Sequence, residues 1–127
     1  MVRGSRYIMP SGLLAPLLVF VGGGFGSLLR YLAALAVGGT LATLTVNVAG
    51  CFAIGLIAAA VPAHMVAIRL FFLTGLLGGF TTFSAFGLDA YTLWHRGEPA
   101  QAALYVAASL ILSLGAVALG FAVARSA

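Results

Sequence analysis

Asn47 lies about six residues into an apolar run, roughly 8 Å along a helix that rises about 1.5 Å per residue. Thr43 precedes it by four positions and Gly50 follows by three, so a helix would line up a hydroxyl, a carboxamide and a gap on one face. An amide in such a run either hydrogen-bonds to a neighbouring helix or serves a function, because it is costly to leave unpaired. Tyr105, Ser109 and Ser113 repeat at i, i+4 and i+8 in another apolar run. One serine alone would satisfy itself on the carbonyl four residues back. Three hydroxyls in register read as a polar track. The third constellation is Gly78-Gly79-Phe80-Thr81-Thr82-Phe83-Ser84-Ala85-Phe86. Phenyl edges carry partial positive charge, so Phe83 and Phe86 beside hydroxyl and amide donors suit a small dehydrated anion. No fixed cation would trap it there, and conduction needs binding weak enough to release.

Other chemistry finds no candidates. There is no zinc-ligand spacing, no Ser/His/Asp set and no carboxylate pair placed for acid–base work, so the chain does not read as an enzyme. His64 and His95 fall in loops or at helix ends. Arg30, the only charge in the first apolar run, could snorkel, cap backbone carbonyls or raise the positive potential at a pore mouth. Asp89 comes about two turns before Arg96, nearer an interface than a midplane. Cys51 is the single cysteine, which excludes an intramolecular disulfide and suits packing.

The elements that must position these residues are set by composition. Of 127 residues, 63% are hydrophobic and 6% charged, and the mean hydropathy is +1.19. Soluble domains run near 25% charged, so an ordinary soluble enzyme or binding module is excluded. A spanning helix takes about 20 apolar residues, and four segments qualify, at roughly 13–37, 42–61, 68–94 and 101–124. Together they make one transmembrane domain over 1–127. The separators are turn material: Gly38-Gly39-Thr40, Pro62-Ala63-His64 and His95-Arg96-Gly97-Glu98-Pro99. The missing polar alternation excludes a spanning barrel. The net charge of +4 comes from six arginines, with no lysine, against Asp89 and Glu98, and the arginines are too scattered for a nucleic-acid surface. Arg3 and Arg6, with the apolar stretch 13–21 behind them, imitate a signal peptide, but the stretch is read as a retained span and the arginines as interface anchors.

Small-xxx-small pairs at Gly22/Gly26, Cys51/Gly55 and Gly75/Gly79 predict close helix packing. Gly78-Gly79, followed by two threonines, predicts a break in the third helix. Its free carbonyls would be buried in protein, line a watery cavity or coordinate an ion. With both ends on one side, four arginines (Arg3, Arg6, Arg69, Arg125) face two (Arg30, Arg96), a bias small enough to permit insertion in both orientations.

Across essentially its whole length the chain resembles the small fluoride channels of the CrcB/Fluc family. Three blocks carry the likeness: Gly23-Gly24-Phe25-Gly26-Ser27-Leu28-Leu29-Arg30-Tyr31, Thr43-Leu44-Thr45-Val46-Asn47-Val48-Ala49-Gly50 and the Gly78–Phe86 segment. The resemblance implies an all-α membrane protein of the cell inner (plasma) membrane, an antiparallel, dual-topology homodimer of four-helix subunits with two fluoride pathways. It also implies a third helix broken in mid-membrane and a structural sodium ion at the centre, held by backbone oxygens at the positions matching Gly78 and Thr81. The pathway would comprise Phe83, Phe86, Asn47, Thr43, Ser84, Tyr105, Ser109 and Ser113, and Arg30 matches the family's first-helix arginine, in a vestibule or structural role. Ala85 stands where the family usually has threonine or serine, so one hydroxyl is missing, and Ser27 replaces a common alanine.

Physical arguments run parallel. Four short helices are too few to enclose a shielded pore, so two or more chains are needed. Fluoride is a strongly hydrated acceptor, and Asn47 with the hydroxyl stripes supplies donors to replace its water. The rivals are a small multidrug-type proton-coupled antiporter, which needs a carboxylate deep in the bundle, and a non-conducting membrane assembly subunit.

Overall fold

The computed structural model describes residues 9–127, so Arg3 and Arg6 lie outside the described part. Helix α1 runs Leu14–Val37 and α2 runs Gly39–Ala60. Their connection is a single residue, Gly38, whose φ of 76° and that of Gly39, 58°, suit residues without a Cβ. The predicted three-residue turn therefore shrinks, and α2 begins three residues earlier than the apolar run suggests.

Helix α3 covers residues 66–80 in three windings: an α-helical turn Val66–Arg69, a π-helical stretch Leu70–Leu77 and a last turn Gly78–Phe80. Thr81 and Thr82 are then extended, and α4 resumes at Phe83–His95. Helix α5, Pro99–Ser126, starts with proline in its first turn, where the missing N–H removes no helical bond. Among the described residues four stretches are long and apolar enough to cross a bilayer: Leu14–Val37, Gly39–Ala60, Val66–His95 and Pro99–Ser126. The protein is an all-helical, multi-pass membrane protein.

Glycines set which helices touch. A Cβ on Gly22 would meet Phe71 O and stand 3.0 Å from Leu76 N, and one on Gly26 would meet Leu76 O and stand 2.8 Å from Phe80 N. Gly79 lies against the Gly23 backbone in the same way. The α1 face thus meets backbone at positions 71, 75, 76, 79 and 80, a spacing of four to five compatible with i→i+5 winding in α3. On the other side Gly55 abuts Val117 O, and Gly120 abuts Phe52 O, which locks α2 to α5. Between these pairs the core is thin, with Val46, Leu77, Phe86, Ala102 and Tyr105 among its buried residues. Most large apolar side chains face outward, among them Leu17, Phe20, Leu35, Leu104, Ile111 and Leu114.

Candidate functional site

The site forms around Thr81 and Thr82. Thr81 has φ −81° and ψ 154°, and Thr82 has φ −150° and ψ 118°. Sequence propensity points at Gly78-Gly79 and the two threonines after them, and of these the glycines stay helical. Gly79 is pressed on Gly23, where a wound backbone fits, and the β-branched threonines take the extended conformation instead. Thr81 closes α3 twice over, with its N–H to Leu77 O at 3.0 Å and its Oγ1 to the same oxygen at 2.9 Å.

Asn47 reaches across from α2 and pairs with Thr82 at two points. Thr82 N–H donates to Asn47 Oδ1 at 2.8 Å, and Asn47 Nδ2 donates to Thr82 O at 3.0 Å. The carboxamide thereby does for Thr82 what a neighbouring strand would do, and one Nδ2 hydrogen stays free to donate. The Thr82 side chain caps α4, its Oγ1 accepting from Ala85 N at 3.2 Å. Ser84 Oγ lies 3.2 Å from that hydroxyl on an exposed face. Position 85 therefore contributes its backbone N–H to the cap, which alanine supplies as well as serine or threonine.

The two phenylalanines touch but differ in setting. Their ring centroids are 5.3 Å apart, and Phe86 continues to Tyr105 at 5.5 Å. Phe86 is 8% exposed and Phe83 78%, so Phe86 belongs to the core of the chain while Phe83 projects from it. Beside them a cavity of about 230 Å³ brings together Asn47, Cys51, Thr81, Thr82, Phe83, Phe86, Ser109 and Ser113, with Leu110 and Leu114 closing one wall. Ser109 is buried, and among the described residues its Oγ meets no hydrogen-bond partner. Cys51, expected only to pack, lines this cavity one turn beyond Asn47.

Thr43 and Arg30 line a smaller neighbouring cavity of about 140 Å³ together with Val46, Thr82 and Ala85, so Thr82 is the wall between the two. Arg30 Nε donates to Gly79 O at 3.1 Å, with Ser27 Oγ 3.5 Å from the same oxygen. Of its three possible roles, capping a carbonyl is the one whose geometry is present. Tyr105 donates its hydroxyl to Asp89 Oδ2 at 3.1 Å. Sequence reasoning missed that pair. The available signal was spacing, since Asp89 follows Phe86 by three on α4 and shares its face. Gly78 lines neither cavity, and Ser84 stands apart from both.

These groups can hold a small anion by donors alone: an amide N–H, serine hydroxyls and ring edges, with no charged side chain lining the larger cavity. Among the described residues no group of three or more His, Cys, Asp or Glu is placed to hold a metal ion.

Comparison with known proteins places the chain in a family. A family model described as CrcB-like protein, Camphor Resistance (CrcB), matches residues 17–121. A fluoride-specific ion channel FluC of Paracoccus denitrificans (strain Pd 1222) is 53% identical over 114 residues, covering 84% of this chain and 91% of that protein. Proteins of the same name from Rhizobium etli, 50% identical over 119 residues (87% and 95% covered), and Rhodospirillum centenum, 46% over 121 (87% and 95%), are also similar. The family match takes in the whole of α2, α3 and α4, and the likeness to these relatives runs nearly end to end, so the chain belongs to the CrcB family.

Proposed function

We propose that the protein is a fluoride-selective channel, not an enzyme, that passively exports fluoride across the cell inner membrane. The observation that carries the reading is the larger cavity, where an amide, two serine hydroxyls and two phenyl rings converge without a fixed charge. Fluoride would be passed among Asn47, Phe83, Phe86, Ser109 and Ser113, with Thr43, Ser84 and Tyr105 completing the track. The relatives' shared name, fluoride-specific ion channel, supports the choice of ion.

The working unit is an antiparallel, dual-topology homodimer with two pathways, set in lipid. The largely exposed Phe83 ring and the outward apolar faces support a second copy, because one subunit leaves the cavity open on that side. The extended Thr81–Thr82 step is a mid-membrane break of the third span. A structural sodium ion would sit at the dimer centre, and backbone oxygens that lack a helical partner support that reading. In a continuous helix Gly78 O would accept from Thr82 N–H, but that N–H is given to Asn47, and Thr81 is extended. Gly78 and Thr81 would hold the ion, which supplies fixed positive charge between the subunits.

Fluoride efflux from liposomes containing only the purified chain tests the proposal. Passive efflux far above that of chloride, lost in Phe83→Ile or Asn47→Asp, is expected. No fluoride efflux would end the channel reading. Proton-driven uptake of an organic cation, abolished by Asp89→Asn, would establish the antiporter instead, although the Asp89 carboxylate is here engaged by Tyr105.

A further inference from the structure

The end of α3 leaves carbonyls without helical partners, and Gly79 O is met there from α1 by Arg30 Nε at 3.1 Å. Arg69 makes the same kind of contact elsewhere. Its Nη1 donates to Val61 O at 2.8 Å and Ala58 O at 3.3 Å, at the C-terminal end of α2. Two arginines on different helices therefore each close the last turn of a neighbour. We infer that Arg30 is a positioning residue: its guanidinium holds the end of α3 through Gly79 O and so fixes the extended Thr81–Thr82 step, instead of acting as a free charge that draws anions to a pore mouth.

The surroundings of Gly79 carry this assignment. Its Cα side is pressed against the Gly23 backbone, and its carbonyl accepts from Arg30, so α1 holds one residue of α3 by contact and by hydrogen bond together. Three residues later Asn47 of α2 holds both polar groups of the Thr82 backbone. The extended step is thus tied down at both ends, once from α1 and once from α2. A helix C-terminus also carries partial negative charge, which offsets the guanidinium field and leaves less of it for an anion to feel. Because Arg30 also lines the smaller cavity beside Thr43 and Thr82, releasing it would move that wall.

The test compares Arg30→Gln, Arg30→Lys and Arg30→Leu in the full chain. Hydrogen exchange is read at the Thr82 and Ala85 amides, which bond to Asn47 Oδ1 and Thr82 Oγ1. Fluoride efflux is read at several ionic strengths. Arg30→Leu is expected to lose protection at these two amides by about tenfold, with amides around Gly55 and Gly120 unchanged. Arg30→Gln keeps a neutral donor, so it should hold protection and efflux to within about threefold of the parent, with the same ionic-strength dependence. Glutamine behaving like leucine while lysine matches the parent would overturn the inference in favour of a charge role, as would unchanged protection in Arg30→Leu. Should the leucine variant fail to fold, the glutamine and lysine pair decides alone. Only the efflux arm rests on the channel reading. An inactive parent would sink that reading and leave the exchange result standing.

Discussion

Replacing Asn47 by leucine, which is nearly isosteric, strips the Thr82 backbone of both its partners, the acceptor at 2.8 Å and the donor at 3.0 Å. A buried polar group left unpaired costs about 1–3 kcal/mol, so leaving both costs roughly 2–6 kcal/mol. The chain has a less costly alternative. Winding Thr81 and Thr82 into helix costs at most about 0.7 kcal/mol each relative to alanine, near 1.5 kcal/mol for the two. Rewinding would also return the Thr82 N–H to Gly78 O. The comparison favours rewinding over an unpaired step, so Asn47→Leu should fuse α3 and α4 into one helix and swing Phe83 and Phe86 off the cavity. Backbone chemical shifts of Thr81 and Thr82 report this directly, moving from extended to helical values, while fluoride efflux from liposomes falls to background. Extended shifts at both threonines together with parental efflux would refute the reasoning.

Two further substitutions separate packing from function. Gly26→Ala puts a methyl into Leu76 O and Phe80 N, backbone that cannot step aside, whereas a Cβ on Gly24 meets nothing within 4 Å. Gly26→Ala should cost about 1–3 kcal/mol and Gly24→Ala less than about 0.5 kcal/mol, read from thermal unfolding in the same detergent; equal melting temperatures would contradict the close α1–α3 approach. Ser109→Ala removes a buried hydroxyl that has no partner, so the fold should be unchanged or steadier by up to about 1 kcal/mol while efflux drops. A clear loss of thermal stability would show that Ser109 serves packing and not the ion path.

The long helices were legible because length and apolarity mark them, and the segments 13–37, 42–61, 68–94 and 101–124 follow the helical stretches to within a few residues. Asn47 and the hydroxyls at 105, 109 and 113 stand out because an amide or a serine is rare in such a run, and the fold brings Asn47, Ser109 and Ser113 to one cavity. Within the Gly78–Thr82 segment, the extended residues are the threonines and not the glycines, for a physical reason. A glycine pair weakens a helix in isolation, but Gly79 is used for close approach to Gly23, a fact that depends on a helix some 50 residues earlier in the chain. The threonines are extended because Asn47, 35 residues away, pairs with Thr82. The π-helical winding of Leu70–Leu77 left no mark in composition, since its register is set by the glycine face of α1 it packs on. The Asp89–Tyr105 bond depends on how α4 and α5 fold back on each other, which the sequence does not specify locally.

Charge scarcity gains a sharper meaning from where the few charges go. Arg30 is spent on a carbonyl at the end of α3 and Arg69 on two at the end of α2, while Asp89 accepts from Tyr105. Each is paired to a polar group that would otherwise be unmatched in an apolar setting, and none lines the larger cavity. A full charge there would hold an anion too long to release it. Neutral donors bind more weakly, and in the proposed pathway Asn47, Ser109 and Ser113, which line one cavity, would supply them. The extended Thr82 turns its backbone toward Asn47, and Phe83 and Phe86 at the start of α4 line the cavity while Gly79 stays pressed on Gly23, so one short segment meets α1, α2 and the cavity together.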